Sequence, residues 1–253
     1  MTVKTVAAIA SLGAALASTA GCLSFYEIPI EIPMQAKIDV SAFDRILVAG
    51  FLSGGTSNID SNSETARLLR SQLRNRQEMR VIDAEVLSLV DEVRRRRGTT
   101  EGAKPADAAQ IVSEQDLGTY ETIFSDTEFW KALGEGHERP LIVTGSVLFT
   151  EVARSGISAK PESYIDAQGL EQFRTVPTYI DQKGYSLSPK FIFIDGRTGA
   201  QLYSETYHEE SYYPSGQNTP ALSSYFELMD RLLPGFLSTL STQKIRGSRI
   251  LLK

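Results

Sequence analysis

The chain has 253 residues, of which 26 are Lys or Arg and 31 are Asp or Glu, giving a net charge of −5 at pH 7. This acidic balance excludes a general nucleic-acid binder, because such a protein presents a basic surface. The length and a hydrophobic content of 42% indicate one folded domain, with or without an insertion, around a sizeable core.

The first 21 residues have the layout of a secretory signal peptide. Lys4 precedes an apolar stretch that is shorter than the roughly 20 residues a bilayer-spanning helix needs. The small residues Thr19, Ala20 and Gly21 then lead into Cys22. This motif resembles the lipobox of bacterial lipoproteins, although its first position is usually aliphatic and not threonine.

Cys22 is the single cysteine, so no intramolecular disulfide can form and an exported protein must rely on its core. We expect cleavage at the motif formed by residues 19–21, and acylation of Cys22, palmitate included. An unmodified cysteine after ordinary cleavage is the alternative. Leu23 follows the cysteine, whereas Asp at that position is the familiar signal for retention in the inner membrane. The outer membrane is therefore the expected location of the anchor.

The sequence divides into three parts. Residues 1–21 form the signal peptide, and residues 22–40 form a lipidated tether with an opening strand, in which isoleucine alternates at positions 28, 30 and 32. Residues 41–253 form the envelope domain, with a β-hairpin insertion at about 153–184. We expect this domain to face the periplasm.

The first half of the domain predicts alternating strands and helices. Residues 45–51 form a compact apolar run that favours a buried strand, and residues 61–64 (SNSE) predict a capping box before a helix. A short strand follows. Asp83 is positioned to cap a helix over residues 84–97, which Gly98 would end.

The second half is richer in strands. We expect a helix over 127–136, which carries the single tryptophan, and a buried strand over 140–152. The clearest hairpin turns at 195–199, where glycines supply the positive φ of a tight turn. A long helix over 219–240 should bend at Pro234, and a short strand should follow it. The apolar face of that helix comprises Leu222, Phe226, Met229 and Leu233.

This order of elements predicts the fold class. Strand, helix, strand and helix are followed by strand, hairpin and helix, which is typical of an α/β protein. We therefore expect a three-layer-like sandwich, with a mixed β-sheet flanked by helices, in a single domain that carries a β-hairpin insertion.

Signals for catalysis, metals and cofactors are weak. Residues 50–57 (GFLSGGTS) have the outline of a phosphate-binding loop, but Thr56 stands where the charged lysine belongs, which favours a glycine-rich surface turn. His208 precedes two carboxylates, but adjacent strand residues point to opposite faces, and zinc needs three or four converging ligands. We predict no enzyme activity, no catalytic residue, no metal and no cofactor.

Residues 94–97 are four consecutive arginines. They could contact anionic lipid head groups or cell-wall carboxylates. Cations in the last turn of a helix are, however, stabilised by the helix dipole. This structural interpretation explains the run without any partner and is the one we favour.

Several segments resemble, in order and spacing, the CsgG-like envelope lipoprotein superfamily. That group includes lipoproteins that activate penicillin-binding proteins, and the amino-terminal domain of TolB has a related fold. The matching segments are 81–83 (VID), 143–147 (VTGSV) and 195–202 (DGRTGAQL). The resemblance implies an outer-membrane lipoprotein that acts by binding other envelope components.

One departure from this superfamily concerns pore formation. In its curli secretion-channel lipoprotein, two segments become transmembrane hairpins. Residues 154–185 of this chain contain many charges, which makes a lipid-facing apolar stripe hard to draw. The charged residues are Arg154, Lys160, Glu162, Asp166, Glu171, Arg174, Asp181 and Lys183. We therefore do not expect this region to form a pore.

The sequence as a whole favours a non-catalytic interaction or assembly module of the cell envelope. Its expected contacts are membrane lipid, through acylated Cys22, and an envelope protein, without nucleic acid. An oligomeric secretion-channel component, which would make the protein a homo-oligomer, is one alternative. An envelope hydrolase is another.

Overall fold

The computed structural model describes residues 25–76, 79–100 and 111–252. The signal peptide, its cleavage motif at 19–21 and Cys22 lie outside the described residues. The chain forms two compact units. One comprises Ala36–Ser241, and the other comprises, among the described residues, 25–35 and 242–252.

The smaller unit contains a two-stranded antiparallel sheet. Strand β1 (Phe25–Met34) pairs with strand β8 (Gln243–Leu252) along the whole length of both. The opening strand and the strand near the end of the chain are thus both confirmed. Their mutual pairing could not be predicted, because more than 200 residues separate them.

The larger unit is built on a six-stranded mixed sheet with the order β3-β2-β4-β5-β6, to which β7 adds by pairing with β5. Strands β3, β2 and β4 are parallel to one another, and the remaining pairs are antiparallel. The strands are β2 (Arg45–Gly55), β3 (Arg80–Val81), β4 (Leu141–Ile165), β5 (Glu171–Asp195), β6 (Gln201–Thr206) and β7 (Glu209–Pro214).

Helices cover both faces of this sheet, which confirms the predicted three-layer α/β class. The helices are α1 (Ser61–Arg74), α2 (Leu89–Thr100), α3 (Glu114–Tyr120), α4 (Thr127–Gly136) and α5 (Ala221–Leu240), with a 3₁₀ turn at Glu121–Ser125. Helices α1 and α5 pack on one face, and α2, α3 and α4 pack on the other. Each helix turns an apolar stripe towards the strands.

Aromatic rings fill the layer between the sheet and α1 and α5. Phe191 lies between Phe51 and Phe236, with ring centroids 6.1 and 4.8 Å away. On the opposite face, Trp130 is fully buried and its Nε1 donates a hydrogen bond to the Ile123 carbonyl at 2.8 Å. Complete burial of a large apolar side chain contributes about 1.5–3 kcal/mol each, so these rings dominate the core.

The predicted capping box of α1 is wrong by one residue. Asp60 is the N-cap, and its carboxylate accepts a hydrogen bond from the Ser63 amide at 3.1 Å. Ser61 is instead the first helical residue, and Glu64 pairs with Arg67. Aspartate is a strong N-cap, so it takes the position that the serine was expected to hold.

The predicted start of α2 is also wrong. The helix begins at Leu89, because the preceding segment follows β2 in an extended path. The Leu87 amide donates a hydrogen bond to the Ala49 carbonyl at 2.8 Å. Asp83 consequently caps no helix and pairs with Arg74 at 3.0 Å.

One expected helix end does not occur, because Gly98 lies inside α2. Helix α5 runs through Pro234 to Leu240, and the bend expected at that proline stays a prediction. The apolar face predicted for α5 needs one correction, because Leu222 is 45% exposed. The stripe facing the sheet is formed by Tyr225, Leu228, Met229, Leu232, Leu233 and Phe236. By contrast, the helix predicted over 127–136 matches α4 residue for residue.

Gly145 allows β4 and β5 to approach each other closely. Its φ is 146°, and a Cβ at this position would overlap the Lys190 carbonyl. The glycine of the VTGSV segment is therefore required by packing. Gly156, on the same strand, has open space where a Cβ would lie.

We expect Gly145→Ala to lower the free energy of unfolding by about 3 kcal/mol, from backbone strain and overpacking. The matched change Gly156→Ala should alter it by less than about 0.5 kcal/mol. Urea denaturation of the two variants measures the difference. Equal losses in both would contradict the close approach at Gly145.

Candidate functional site

The largest feature outside the core is a two-stranded arm formed by the distal halves of β4 and β5. Pairing of β4 with β2 ends at Phe149, and pairing of β5 with β7 ends at Gln182. Beyond these points β4 and β5 pair only with each other, over residues 155–165 and 171–181, among the described strands. We call this segment the arm. It is roughly 35 Å long at the usual rise per residue.

One face of the arm carries an apolar stripe. Residues directly opposite each other in an antiparallel ladder share a face, and the stripe consists of Ile157, Ala159, Pro161, Phe173, Pro177 and Tyr179. Its large side chains point into solvent, since Ile157 is 79% exposed, Phe173 74% and Tyr179 69%. Only Ser163 and Thr175 interrupt the stripe, and neither is charged.

Charged side chains occupy the other face of the arm. Arg174 pairs with Glu162 at 2.9 Å and lies over the Tyr164 ring, 5.6 Å from its centroid. Lys160 lies on the same face. The expectation that charges would prevent an apolar stripe is therefore wrong. The charges segregate to one face, to the turn and to the base of the arm, which a count along the sequence does not show.

The turn at the tip of the arm is fixed by Asp166. Its carboxylate accepts hydrogen bonds from the amides of Leu170 at 2.9 Å and Gln168 at 3.0 Å. The bond from the Leu170 amide is the main cause that lowers the pKa of Asp166. Gly169 supplies the positive φ of 80° that the turn needs. These bonds hold the register of the arm at its tip.

A polar region separates the stripe from the core. A cleft of about 320 Å³ lies at the base of the arm, lined by Glu151, Lys183, Tyr185 and Tyr213, among others. Burial, and next the charge of Glu151, raise the pKa of Tyr185, so its hydroxyl stays protonated at neutral pH. Because these polar side chains lie between the apolar stripe and the core, the stripe is a separate surface.

Pro161 and Pro177 lie on opposite strands of the arm, two rungs apart. Proline has no amide hydrogen, so it fits a ladder only where the amide would point outward. Pro189 is an even number of residues from Pro177 along β5, so the backbone groups of both point to the same side. The Pro189 carbonyl points away from β4 and accepts a hydrogen bond from the Tyr207 amide, which shows that this side faces outward. Each open edge of the arm therefore lacks one donor.

The histidine singled out in the sequence lies in a small surface network. Nδ1 of His208 is 2.8 Å from the Ser188 hydroxyl, and its Nε2 is 3.2 Å from a Glu210 oxygen. Its side chain is 57% exposed. Across residues 25–76, 79–100 and 111–252, no three metal-binding side chains of the His, Cys, Asp or Glu type come together.

The arginine run is largely occupied by neighbours. Arg95 and Arg96 both pair with Glu92, Arg96 also pairs with Asp126, and Arg97 donates to the Thr119 carbonyl. These contacts support a structural role for three of the four arginines, through ion pairs more than through the dipole of α2. Arg94 differs and lines a cleft.

Comparisons with known proteins leave the family open. No protein family and no curated protein matches the chain. Among solved structures, the chain is similar to the lipoprotein GNA1162 from Neisseria meningitidis, with 15% identity and a TM-score of 0.31 over 76% of this chain and 97% of that one. A likeness at this level decides neither fold nor function. In the described part of the chain, no helix is long and apolar enough to cross a membrane.

The DGRTG segment is a turn that organises the end of β5. The amide and guanidinium of Arg197 both donate to the Asp195 carboxylate, at 2.8 and 2.9 Å. Burial alone would raise the pKa of Asp195, but these bonds and the arginine charge hold it below its usual value. Gly199 has the predicted positive φ, 74°, whereas Gly196 is needed because a Cβ there would overlap the Pro140 carbonyl.

We expect Arg197→Gln to destabilise the protein at pH 7 and to matter less as the pH falls. The pKa of Asp195 is lower in the folded chain than its unfolded value of about 4. Its stabilising contribution is therefore complete above that pH and is lost as the pH falls through the folded pKa. Urea denaturation from pH 7 towards about pH 2 measures the effect.

An Asp195→Asn background serves as the control for this experiment. Without the carboxylate, the loss of unfolding free energy caused by Arg197→Gln should no longer vary with pH over the acidic range. If the variation persists, another group is responsible.

Proposed function

We propose that this protein is a lipid-anchored, non-catalytic interaction module of the bacterial cell envelope. Acylated Cys22 holds it in the outer membrane, and the arm presents its apolar stripe to an envelope protein on the periplasmic side. The observation that carries this proposal is the exposure of Ile157, Phe173 and Tyr179 along one face, on which residues 157–163 and 173–179 include no charged side chain.

The energetics of the stripe support a binding role. Full burial of a large apolar side chain contributes about 1.5–3 kcal/mol, so three such residues supply the central part of an interface. A two-stranded hairpin alone is only marginally stable in water. This chain nevertheless extends one well beyond its core and leaves its apolar side chains uncovered, which favours a surface kept for a partner.

The anchor is supported by the sequence. The run of small residues Thr19, Ala20 and Gly21 before a single cysteine fits lipoprotein processing. One acyl chain gives marginal membrane binding, whereas several give stable anchoring. Leu23 in place of Asp favours the outer membrane.

A second candidate is an oligomeric secretion-channel component. The observation that favours it is the same stripe, because an apolar stripe is also compatible with lipid. In that case the arms of several copies would lie side by side. The two candidates differ in what contacts Phe173: an envelope protein in the first, and a second copy or lipid in the second.

We expect Cys22→Ala to move most of the protein from the membrane fraction to the soluble periplasmic fraction, because the acyl chains lose their attachment site. Fractionation with detection of the chain measures this shift. Ser24→Ala is the matched control and should leave the protein in the membrane. Retention of the Cys22→Ala variant at the control level would count against the anchor.

We expect a photo-crosslinking residue at position 173 to capture an envelope protein in intact cells. The same residue at position 172, which is also exposed but lies on the charged face, should capture it several-fold less. Both positions are in the arm, so folding is affected equally. Capture of a second copy would favour the channel candidate, and equal capture from both positions would refute a role for the stripe.

A further inference from the structure

A cleft of about 540 Å³ opens at the carboxyl end of β2. From β2 the chain crosses one face of the sheet through α1 to reach β3. It then crosses the other face through α2, α3 and α4 to reach β4. Strand β2 is thus the point where the direction of winding reverses. In open α/β sheets, ligands bind at the carboxyl ends of the strands at such a point.

Hydroxyl groups form much of the lining of the cleft. Hydroxyl side chains contribute from the end of β2, the following turn, the start of α1 and the residue before α2: Ser53, Thr56, Ser57, Ser61 and Ser88. Phe51 and Ile59 add apolar surface. A volume of about 540 Å³ lies within the range of small-molecule sites.

One buried hydroxyl of the lining lacks a hydrogen-bond partner among the described residues. Ser61 is 2% exposed, and its Oγ has no hydrogen-bond partner among the residues that the structure describes. Buried polar groups are nearly always paired, so such an exception needs an explanation. Asn62, which also lines the cleft, shows the usual situation: its side chain accepts from the Phe51 amide at 2.7 Å and donates to the Leu87 carbonyl at 3.0 Å.

A cation completes the site. Arg94 lines the cleft, and its nearest acidic partner, Asp91, lies 3.8 Å away, beyond hydrogen-bond distance. Asp91 also lines the cleft but accepts a hydrogen bond from the Ser88 hydroxyl at 2.6 Å. The Arg94 guanidinium otherwise lies near the Tyr120 ring, 6.0 Å from its centroid. Within the described ranges it makes no hydrogen bond, unlike Arg97 three residues later.

We propose that this cleft binds a small molecule carrying a carboxylate or phosphate group. The planar guanidinium of Arg94 binds the oxyanion through paired N–H donors, for which arginine is well suited. The hydroxyls of Ser61 and its neighbours bind the polar remainder. This site is separate from the arm and does not depend on the function proposed for it.

A nucleoside triphosphate fits this cleft poorly. Thr56 replaces the lysine of a phosphate-binding loop. The start of α1 is already capped by Asp60, whose carboxylate accepts a hydrogen bond from the Ser63 amide and would repel a phosphate at this helix end. Arg94 is the only cation among the residues that line the cleft, which indicates a ligand with one or two negative charges.

The test uses the full chain in detergent, with thermal unfolding followed as sodium phosphate or sodium acetate is added. Sodium chloride at equal ionic strength is the reference. A ligand that binds only the folded state raises Tm in a saturable way. We expect such a rise with at least one of the two anions. The preferred anion shows whether the charged group of the ligand is a phosphate or a carboxylate.

Variants at positions 94 and 95 locate the site. Arg94→Gln should raise the anion concentration needed for half the effect at least tenfold, and Arg94→Lys, which keeps the charge but loses the paired donors, should give an intermediate value. Arg95→Gln removes the same charge from the next residue of α2 and should match the natural chain. No saturable rise with either anion, or equal losses at positions 94 and 95, would overturn the proposal.

Discussion

One uninterrupted antiparallel ladder links the core of this protein to its arm. Strands β4 and β5 pair from Leu141 opposite Asp195 to Ile165 opposite Glu171, without a register shift. In the core, Val143, Val147 and Phe149 face the layer formed by α1 and α5. Because side chains alternate strictly along a strand, this packing also decides which residues share a face in the arm. The apolar stripe therefore lies on the same side of the ladder as these core residues, with the polar base of the arm between them.

Local signals in the sequence predict a large part of the fold. Helix α4 was predictable to the residue because its apolar spacing and its neighbouring Asp126 cap are local. The start of α2 was not, because it depends on a hydrogen bond between Leu87 and Ala49, 38 positions apart. The prediction of the α1 N-cap was wrong for a different reason, because two adjacent residues, Asp60 and Ser61, could both serve as the N-cap.

The candidate sites were harder to predict than the fold, because they depend on register and long-range contacts. Charged residues are spread along the sequence of the arm, yet the pairing of β4 with β5 places Glu162 and Arg174 together on one face. Likewise, the four arginines are alike in the sequence, and the positions of Glu92, Asp126 and the Thr119 carbonyl separate Arg94 from its neighbours. Acylation of Cys22 stays a prediction, since it lies outside the described residues.

The two prolines in the arm have a consequence for solubility. A long strand with open edges is a template on which identical chains can stack into fibrils. Pro161 and Pro177 each remove a donor from one edge, so a stacking chain meets a gap in its hydrogen-bonding pattern from either side. The protein can thus keep an apolar ribbon uncovered while limiting the self-association that leads to amyloid.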